Sequence, residues 1–558
     1  MDNQEEMSIA GILIKNATQL QANRSNYDIV NQTVSDYMSP NRGNFTVEES
    51  PGQRKDKKIY DPTANISAQR LASILHSRMT TPGEVWARIR PKNSQLLEKD
   101  NVKRFLDLLD NTIFDILNDS SKGFSQKNHE MLRDLVLFGT SVMWVEGDNR
   151  DIIFNNIHLS QIWIEENNKG IVDTIYRKFK MSVRQMRQEF GEDKLSREML
   201  DLEKAQPHTK CEILHCVMPK KDYIRMSGKV SLGLELEDKK FVSVYISMKD
   251  KNILKIAGYR TEPFLVVRWE KRIGEIYGIS PAWNVLSSAQ MVNAFMEVWI
   301  KSEQKKVDPP LLISDDGVIL PLETFPGGVN IGALSEDGQP LVREFPAGGS
   351  SSSKIEMVIE TNRKDIAKGF FVDQFNPREG VQPLTATEDL HNQDKESQFI
   401  FPHQKRLEDE YLTQLYTKLV DIVLQNDLVV DQDGTIQELP EELIIKGKFD
   451  FNIQYVNSLT FTQKSNELLA YTRFFANAAP LIELDPSLID NFNLDKSVRD
   501  IADKSGIALE QIRSPKEIEA IRGERAEAQQ MERQKVDLIQ GADAASKLQK
   551  SGINVIPE

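Results

Sequence analysis

The chain has 558 residues, of which 39% are hydrophobic and 28% are charged, a balance typical of a globular protein with a core. A chain of this length predicts roughly two to four structural regions and is incompatible with disorder of the whole chain. The formal net charge of −14 argues against a protein that clamps duplex DNA, because such proteins neutralise phosphates with a basic face.

The N-terminal segment predicts a helix and not a signal peptide. It reads MDNQEEMSIAGILIKN, with helical periodicity in Ile9, Leu13, Ala17 and Leu20. Its start is acidic and its apolar run, IAGILI, is too short for a signal peptide. No window approaches the roughly 18 apolar residues of a membrane span. We therefore expect no membrane contact and a protein that is assembled in the cytoplasm.

The region up to about residue 270 predicts an α+β body. A helix is expected from Asp61 to the TTPG turn at Thr80–Gly83, and residues 127–147 predict a helix that runs into a strand. Short strands separated by polar turns follow in residues 150–270. They read IIFNNIHL, IVDTIYRKF, CEILHCVM, FVSVYISM and PFLVVRW. Mixed helices and strands of this kind indicate the α+β class.

Both cysteines of the chain lie in one of these strands. Cys211 and Cys216 are close to His208 and His215 in sequence, so a metal site is one interpretation. The separation of the two thiols is an odd number of residues, which places them on opposite faces of a strand. We therefore interpret them as two free structural thiols, as suits a reducing compartment.

A helix, a small insertion and a second helix follow the body. Ser280 as N-cap and Pro281 at the first helical position predict a helix over 281–306, which VDPP ends. At 1.5 Å per residue this helix spans about 39 Å. Its polar stripe is formed by Gln290, Asn293, Glu297, Lys301 and Gln304.

The insertion, residues 307–352, predicts short strands in LLIS, VILPL and LVREF joined by glycine turns. A second helix is predicted over 353–371, with its buried side at Ile355, Ile359, Ile366 and Phe370. Its polar side carries Glu356, Glu360, Arg363 and Lys364.

The C-terminal third is predicted to be mostly helical. The loop FNPREGVQPL, which holds Arg378 and Glu379, precedes a capping box from Thr385 to Glu388. That box opens a long helix, kinked at Pro402 and ending near Gln425. Residues 460–558 read as helices, the last of which begins near Ser514 and is polar almost all round. Such a helix is either exposed or packed against copies of itself.

Several segments, in order and at compatible spacing, carry a resemblance to a known family. They are DPTANISAQRLASILHSRMTTPGEVWARIRP, LVLFGTSVMWVEG, GIVDTIYRKFKMSVRQMRQEFG, YGISPAWNVLSSAQMVNAFMEVWIKSEQKKVDPPLLI, TATEDLHNQDKE, LDPSLIDNFNLDKSVRDIADKSGI and RSPKEIEAIRGERAEAQQ. Together they resemble the head-to-tail connecting (portal) proteins of short-tailed, double-stranded DNA phages, over roughly residues 55–535. The ordered set carries the resemblance, since no single motif is specific.

The resemblance implies a ring of about twelve copies at one capsid vertex of the virion. By resemblance, residues 1–280 and 385–455 form the wing, helices 281–306 and 353–371 the stem, and 307–352 the clip. Residues 372–384 form the channel loop, and 456–558 the helical crown. The implied partners are further copies of the chain, the major capsid protein and scaffold, the terminase packaging motor, and tail adaptor and internal core proteins. Double-stranded DNA would pass without sequence-specific contacts.

The channel lining is the nearest thing to a functional site in this interpretation. The candidates are Gln290, Asn293, Glu297, Lys301, Glu356, Glu360, Lys364, Arg378 and Glu379. Each of them is also compatible with an ordinary solvated helix face or loop. Lys301, Lys305 and Lys306 either form basic rings or stabilise the carboxyl end of their helix.

Catalysis finds little support in the sequence, and we expect no cofactor and no metal. No G-x-x-x-x-G-K-[ST] motif is present, so ATP hydrolysis would have to come from a partner. The histidines form no metal motif, and Glu388, His391 and Asp394 on one helical face are too few for a nuclease site. Two alternatives remain: a helical capsid adaptor or internal scaffold protein without a DNA channel, and an enzyme that processes genome ends.

Overall fold

The structure is a computed structural model. It describes residues 2–47, 52–53, 59–148, 151–206, 208–228, 236–313, 321–325, 328–335, 337–344, 352–372, 402–431, 433–445, 448–456, 471, 473–480, 482, 491, 493–504, 513 and 515–550. The predictions for Arg378, Glu379 and the capping boxes that begin at Thr385 and Ser514 lie outside the described residues.

The described helices follow one another along the whole chain. They are α1 (Asp2–Asn23), α2 (Ser25–Met38), α3 (Thr63–Met79), α4 (Asp100–Asn118), α5 (Phe124–Phe138), α6 (Val183–Phe190), α7 (Arg197–Ala205), α8 (Lys220–Ser227), α9 (Pro281–Asn284), α10 (Leu286–Val307), α11 (Ser352–Gly369), α12 (Thr413–Gln425), α13 (Leu494–Lys504) and α14 (Pro515–Lys550). A π-helical turn, Glu408–Leu412, precedes α12.

The strands are concentrated in the first half of the chain. They are β1 (Ala87–Pro91), β2 (Thr140–Asp148), β3 (Asp151–Ile157), β4 (Ile162–Glu166), β5 (Val172–Ser182), β6 (Lys210–Pro219), β7 (Phe241–Ser247), β8 (Ile253–Tyr259), β9 (Phe264–Arg268), β10 (Glu270–Lys271), β11 (Gly278–Ile279), β12 (Leu311–Ile313), β13 (Val342–Glu344), β14 (Ile444–Ile445), β15 (Lys448–Phe449) and β16 (Phe451–Tyr455). The α+β prediction is confirmed, and each segment expected as a strand in residues 150–270 contains one.

The chain divides into two compact units. The first contains residues 1–84 and 117–422, and the second contains residues 85–116 and 423–558. In the first unit, strands in the order β4-β5-β6-β7-β8 form a five-stranded sheet, and β3-β2-β9 form a three-stranded sheet. All pairs in both sheets are antiparallel.

Helices cover both faces of the five-stranded sheet. On one face, α1 buries Ile9 and Leu13 against a cluster that includes Cys216. On the other face, α6 and α7 pack over a cluster that includes Cys211. Both thiols are free and buried, so the prediction of two structural cysteines on opposite faces is confirmed.

A buried arginine ties the N-terminal helices to this sheet. Arg24, 1% exposed, donates from Nη1 to the carbonyl oxygen of Leu159 at 2.7 Å and also to that of Ile162. Its Nε lies 2.9 Å from Asp28 Oδ1, and its guanidinium stacks on the ring of Trp163. Because a buried charge is costly unless it is paired, this set of partners fixes the turn between α1 and α2.

His215 is expected to make the body acid-sensitive. It is fully buried, and its ring stacks on that of Tyr245 with 3.9 Å between the ring centroids. Its Nε2 shares a hydrogen bond with Ser243 Oγ at 2.8 Å. Burial, followed by the charge of Arg177, holds the pKa of His215 well below its usual range. The unfolded chain therefore binds more protons, so this stability is present above about pH 6.5 and is lost as the pH falls towards about pH 5.5, at a rate of at most about 1 kcal/mol per pH unit.

A denaturant titration at the two pH values checks this prediction. His215→Phe keeps a ring against Tyr245 and removes the titrating group, so its unfolding midpoint should depend less on pH than that of the unchanged protein. Equal pH dependence in both proteins would show that other groups cause the acid sensitivity.

The second unit pairs two strands that lie far apart in sequence. Strand β1 runs antiparallel to β16, and Asp110 of α4 accepts a hydrogen bond from the backbone N–H of Ile89 at 2.8 Å. Arg90 lies 3.2 Å from the same carboxylate, yet burial raises the pKa of Asp110 to about 7. Arg522 of α14 makes a two-pronged ion pair with Asp495 of α13 at 2.7 and 2.8 Å.

Candidate channel-lining helices

The first predicted stem helix is present but interrupted. Ser280 Oγ accepts a hydrogen bond from the backbone N–H of Trp283 at 3.2 Å, which confirms the predicted N-cap, and donates to the carbonyl oxygen of Leu137 at 2.8 Å. The helix then breaks at Val285, between α9 and α10. A Cβ on Gly369 of α11 would lie 2.1 Å from Val285 Cγ1. A side chain at position 369 would have to displace Val285, so glycine permits this close approach of α11.

The second predicted stem helix corresponds to α11, which packs along α10 and also against α3. Its predicted buried side is confirmed at Ile359, Ile366 and Phe370. Between α10 and α11, β12 pairs antiparallel with β13. These two strands match the predicted segments LLIS and LVREF, whereas the strand expected in VILPL falls mostly outside the described residues. A helix pair carrying a small β insertion is thus present in the described chain.

Asn293 stands apart from the rest of the predicted polar stripe. It is 3% exposed, and its Oδ1 accepts hydrogen bonds from the backbone N–H groups of Tyr60 at 2.7 Å and Asp61 at 3.0 Å. Its Nδ2 donates to the carbonyl oxygen of Ala289 at 2.7 Å. Since every polar atom of this amide is engaged within the chain, Asn293 anchors α10 and is absent from the lining that we propose below.

Asp61 joins the same anchor to the second helix. Its carboxylate accepts hydrogen bonds from Arg363 Nε at 2.9 Å and Nη2 at 2.6 Å, and from the backbone N–H of Thr63 at 2.9 Å. Burial raises the pKa of Asp61, but the hydrogen bonds from Thr63 and Arg363 outweigh it and bring the pKa below its ordinary value. We call Asp61, Asn293 and Arg363 the stem anchor, because they fix α10 and α11 to the start of α3.

The remaining candidates on α10 lie at its surface. Gln290 and Glu297 are half-buried and Lys301 is exposed. Lys301 Nζ lies 2.6 Å from Glu297 Oε1, one helical turn away. The hydrogen bond to Glu297 raises the pKa of Lys301. The charge of this lysine is therefore offset within its own helix, and Lys306 is likewise paired with Glu303 at 2.7 Å.

On α11, the candidates Glu356, Glu360 and Lys364 are all exposed. Glu360 Oε2 lies 3.8 Å from Arg363, which is otherwise engaged with Asp61. Exposed ion pairs of this kind contribute little to stability, about 0–1 kcal/mol. These side chains are therefore exposed to solvent in the single chain.

The two helices and the insertion also expose large apolar side chains. Those exposed by more than 60% include Met357, Phe325, Val329, Ile331 and Leu334, and Val298 of α10 is 54% exposed. Removing apolar side chains of this size from water is favourable, at about 25 cal/mol per Å² of buried area. This segment thus combines charged positions with surface that favours burial.

Neither metal sites nor membrane helices occur in the part of the chain that the structure describes. There, no group of three or more His, Cys, Asp or Glu side chains is arranged to hold a metal ion. Among the described helices, none has the length and apolar character needed to cross a membrane. Glu388, His391 and Asp394, the residues of the nuclease alternative, lie outside the described residues.

Comparisons with known proteins give a consistent result. A family model described as bacteriophage head to tail connecting protein matches residues 10–512. The chain is 25% identical over 528 residues to the portal protein of Salmonella phage epsilon15, covering 93% of this chain and 91% of that protein. It is 26% identical over 544 residues to the probable portal protein of Bordetella phage BPP-1, covering 96% of this chain and 95% of that protein. The matched region includes both candidate helices and the stem anchor.

Proposed function

Because the chain belongs to the family of bacteriophage head-to-tail connecting proteins, we propose that it is a portal subunit that forms a ring of about twelve copies. The ring occupies one capsid vertex and serves as the channel for packaging and ejection of double-stranded DNA. The observation that carries this proposal is the family match over residues 10–512. It is supported by two similar proteins, each named as a portal protein or probable portal protein, which match this chain over nearly the whole length of both chains.

The regions of the subunit follow from the same proposal. Residues 1–280 and 385–455 form the wing, residues 281–306 and 353–371 the stem, and residues 307–352 the clip. Residues 372–384 form the channel loop, and residues 456–558 form the crown. The exposed apolar side chains of α10, α11 and the insertion support contacts with neighbouring copies, since such surface is stabilised by burial.

The DNA-facing surface of the stem would be mixed in charge. We assign to it Gln290, Glu297 and Lys301 of α10 and Glu356, Glu360 and Lys364 of α11, with Arg378 and Glu379 of the channel loop. Acidic positions among the cations limit the number of phosphate contacts, and the Lys301–Glu297 pair reduces them further. A lining of this composition lets DNA slide, whereas many fixed cations in each of about twelve copies would hold it.

The role is structural, and chemical energy comes from a partner. The terminase packaging motor docks at the clip during packaging, and tail adaptor proteins replace it there afterwards. The major capsid protein and scaffold surround the wing, and internal core proteins meet the crown. The assembled ring is part of the virion and is put together in the host cytoplasm.

Negative-stain electron microscopy of the purified protein tests the proposal directly. We expect class averages of closed rings of about twelve copies with a central hole that admits a DNA duplex. Monomers or open filaments at assembly concentrations would favour the alternative, a helical capsid adaptor or internal scaffold protein without a channel. Metal-dependent cleavage of linear duplex DNA by the pure protein would instead favour the enzyme alternative.

Charge reversal on α11 tests the channel lining. Glu356→Lys combined with Glu360→Lys adds fixed cations in every copy, so DNA passage should slow by about tenfold at low salt and recover as salt is raised. The rate of DNA packaging by capsids carrying the variant measures this. Glu198→Lys with Asp201→Lys is the matched control, because both side chains are 76% exposed on α7 of the body. An unchanged rate in the stem variant would show that α11 does not face the DNA.

A further inference from the structure

Two histidines lie at the contact between α3 and α5. His76 of α3 and His129 of α5 have their ring centroids 5.7 Å apart, in an edge-to-face arrangement with 87° between the ring planes. Both side chains are half-buried. Such a pair is favourable while both rings are neutral, because the edge of one ring meets the face of the other. The two imidazoles therefore form part of the packing between the helices, and we call them the histidine pair.

Each histidine also shares a hydrogen bond with a serine of the opposite helix. His76 Nε2 lies 3.3 Å from Ser125 Oγ of α5, and His129 Nε2 lies 3.2 Å from Ser73 Oγ of α3. The two bonds are reciprocal, since each helix supplies one serine and one histidine. A neutral imidazole nitrogen either donates or accepts, so it suits a hydroxyl partner in both tautomers.

The surroundings keep the histidine pair uncharged. Burial lowers the pKa of His76, and the charge of His129 lowers it further. Burial also lowers the pKa of His129, and the charges of Arg133 and Arg42 act in the same direction, whereas Glu130 acts against them and is outweighed. Because the interaction between the two rings is mutual, the second proton is disfavoured more than the first.

The carboxylates of α5 in this region already have cations of their own. Glu130 Oε2 lies 3.3 Å from Lys127 Nζ, and Asp134 Oδ1 lies 2.5 Å from Arg42 Nε. Protonation of the histidine pair would thus place two further cations between α3 and α5, and burying charges of like sign side by side is costly.

The contact between α3 and α5 leads directly to the stem anchor. Helix α3 begins at Thr63, whose backbone N–H donates to Asp61 at 2.9 Å. The carboxylate of Asp61 in turn binds Arg363 of α11, and α3 itself packs against α11. A change that loosens α3 on α5 therefore also loosens one end of the stem anchor.

We propose that the histidine pair is an acid-sensitive switch, which holds α3 on α5 while both rings are neutral and releases α3, with its end of the stem anchor, when they are protonated. Histidine suits this role, because its charge changes between about pH 5 and pH 8. The unfolded chain binds protons below about pH 6.5 and the folded contact resists them, so the contact is stable above that pH and weakens as the pH falls. The inference stands independently of the channel function.

Hydrogen exchange of the full-length protein, measured by mass spectrometry at about pH 7 and about pH 5.5 and corrected for the intrinsic exchange rates, tests the proposal. The peptides cover Thr63–Met79 of α3 and Ser352–Gly369 of α11. We expect both to exchange faster at the lower pH, by up to about tenfold for each histidine and pH unit. His76→Gln combined with His129→Gln should remove most of this increase, since glutamine keeps a hydrogen-bonding group but does not titrate.

His208→Gln is the matched control, because it removes an exposed histidine from the turn before β6 and should leave the exchange of α3 unchanged. The single variants His76→Gln and His129→Gln should each remove part of the increase, and they keep the test valid if the double variant fails to fold.

Three results would count against the proposal. The same increase in the unchanged protein and in the double variant, or an equal reduction by the control, would overturn it. Faster exchange of α3 without a change in α11 would overturn the link to the stem anchor. Protection of α3 by added Zn²⁺ that requires both His76 and His129 would overturn the switch in favour of a metal site.

Discussion

Arg268→Met is expected to lower the free energy of unfolding of the body by about 3–5 kcal/mol, because it leaves the largely buried carboxylate of Glu410 without its cation and leaves Glu166 with Lys271 alone. Arg268 is 4% exposed. Its Nη2 lies 2.8 Å from Glu410 Oε1, its Nε lies 3.2 Å from Glu410 Oε2, and its Nη1 pairs with Glu166. Its own backbone N–H also donates to Glu410 Oε2 at 3.0 Å.

The pKa of Arg268 reflects how well this cation is compensated. Burial lowers the pKa, but the hydrogen bonds to Glu410 and Glu166 outweigh burial and raise it above the ordinary value. Glu410 belongs to the π-helical turn that leads into α12, so the network joins that helical segment to β9. In the proposed portal, this helical segment comes after the channel loop in the chain. Arg268 attaches the segment to the strands of the wing.

Chemical denaturation compared at a constant m-value measures the effect. Lys271→Met is the matched control: Lys271 Nζ also lies 2.6 Å from Glu166, but its side chain is 24% exposed, so we expect a loss of about 1 kcal/mol or less. Combining Arg268→Met with Glu410→Leu should restore part of the stability, since one buried charge is then removed together with its partner. If Arg268→Met lowered the free energy of unfolding as little as Lys271→Met does, the Arg268–Glu410 pair would not be needed for stability.

The sequence predicts most of the elements because their signals are local. Alternating apolar residues mark β6 and β7, and Ser280 followed by Pro281 marks the start of α9. Cysteine spacing predicts two faces of one strand, and the structure places Cys211 and Cys216 there. Such features depend on residues that are close together in the sequence, so no knowledge of the tertiary structure is needed to predict them.

The stem anchor shows what could not be predicted. In the sequence, Asn293 continues a polar stripe at helical spacing, and nothing in that spacing separates it from Gln290 or Glu297. Its partner Tyr60 is 233 residues away, so only the folded chain shows that this amide is buried. The break of the helix at Val285 could not be predicted for a similar reason. It lies where Gly369 of α11 comes close to Val285, a contact that only the folded chain shows. Strand β4, also missed, is short and starts after a turn that Arg24 holds in place.

Asn293→Leu is expected to destabilise the first unit by about 2–4 kcal/mol, because it leaves the backbone N–H groups of Tyr60 and Asp61 without their acceptor. Gln290→Leu is the matched control: it makes the same kind of change one turn earlier on α10, at a half-buried side chain, and should change stability by about 0.5 kcal/mol or less. Unfolding midpoints in denaturant measure both variants. Equal losses would mean that Asn293 has no special anchoring role.

A double-mutant cycle then tests whether the anchor acts as a unit. Arg363→Met removes the other side chain that holds Asp61, whose carboxylate accepts hydrogen bonds from Arg363 at 2.6 and 2.9 Å. Once either partner is lost, the segment before α3 is released in part, so the second loss should cost less. We expect the double variant to fall short of the sum of the single effects by about 0.5–3 kcal/mol. Strict additivity would show that α10 and α11 are attached to the segment before α3 independently of each other.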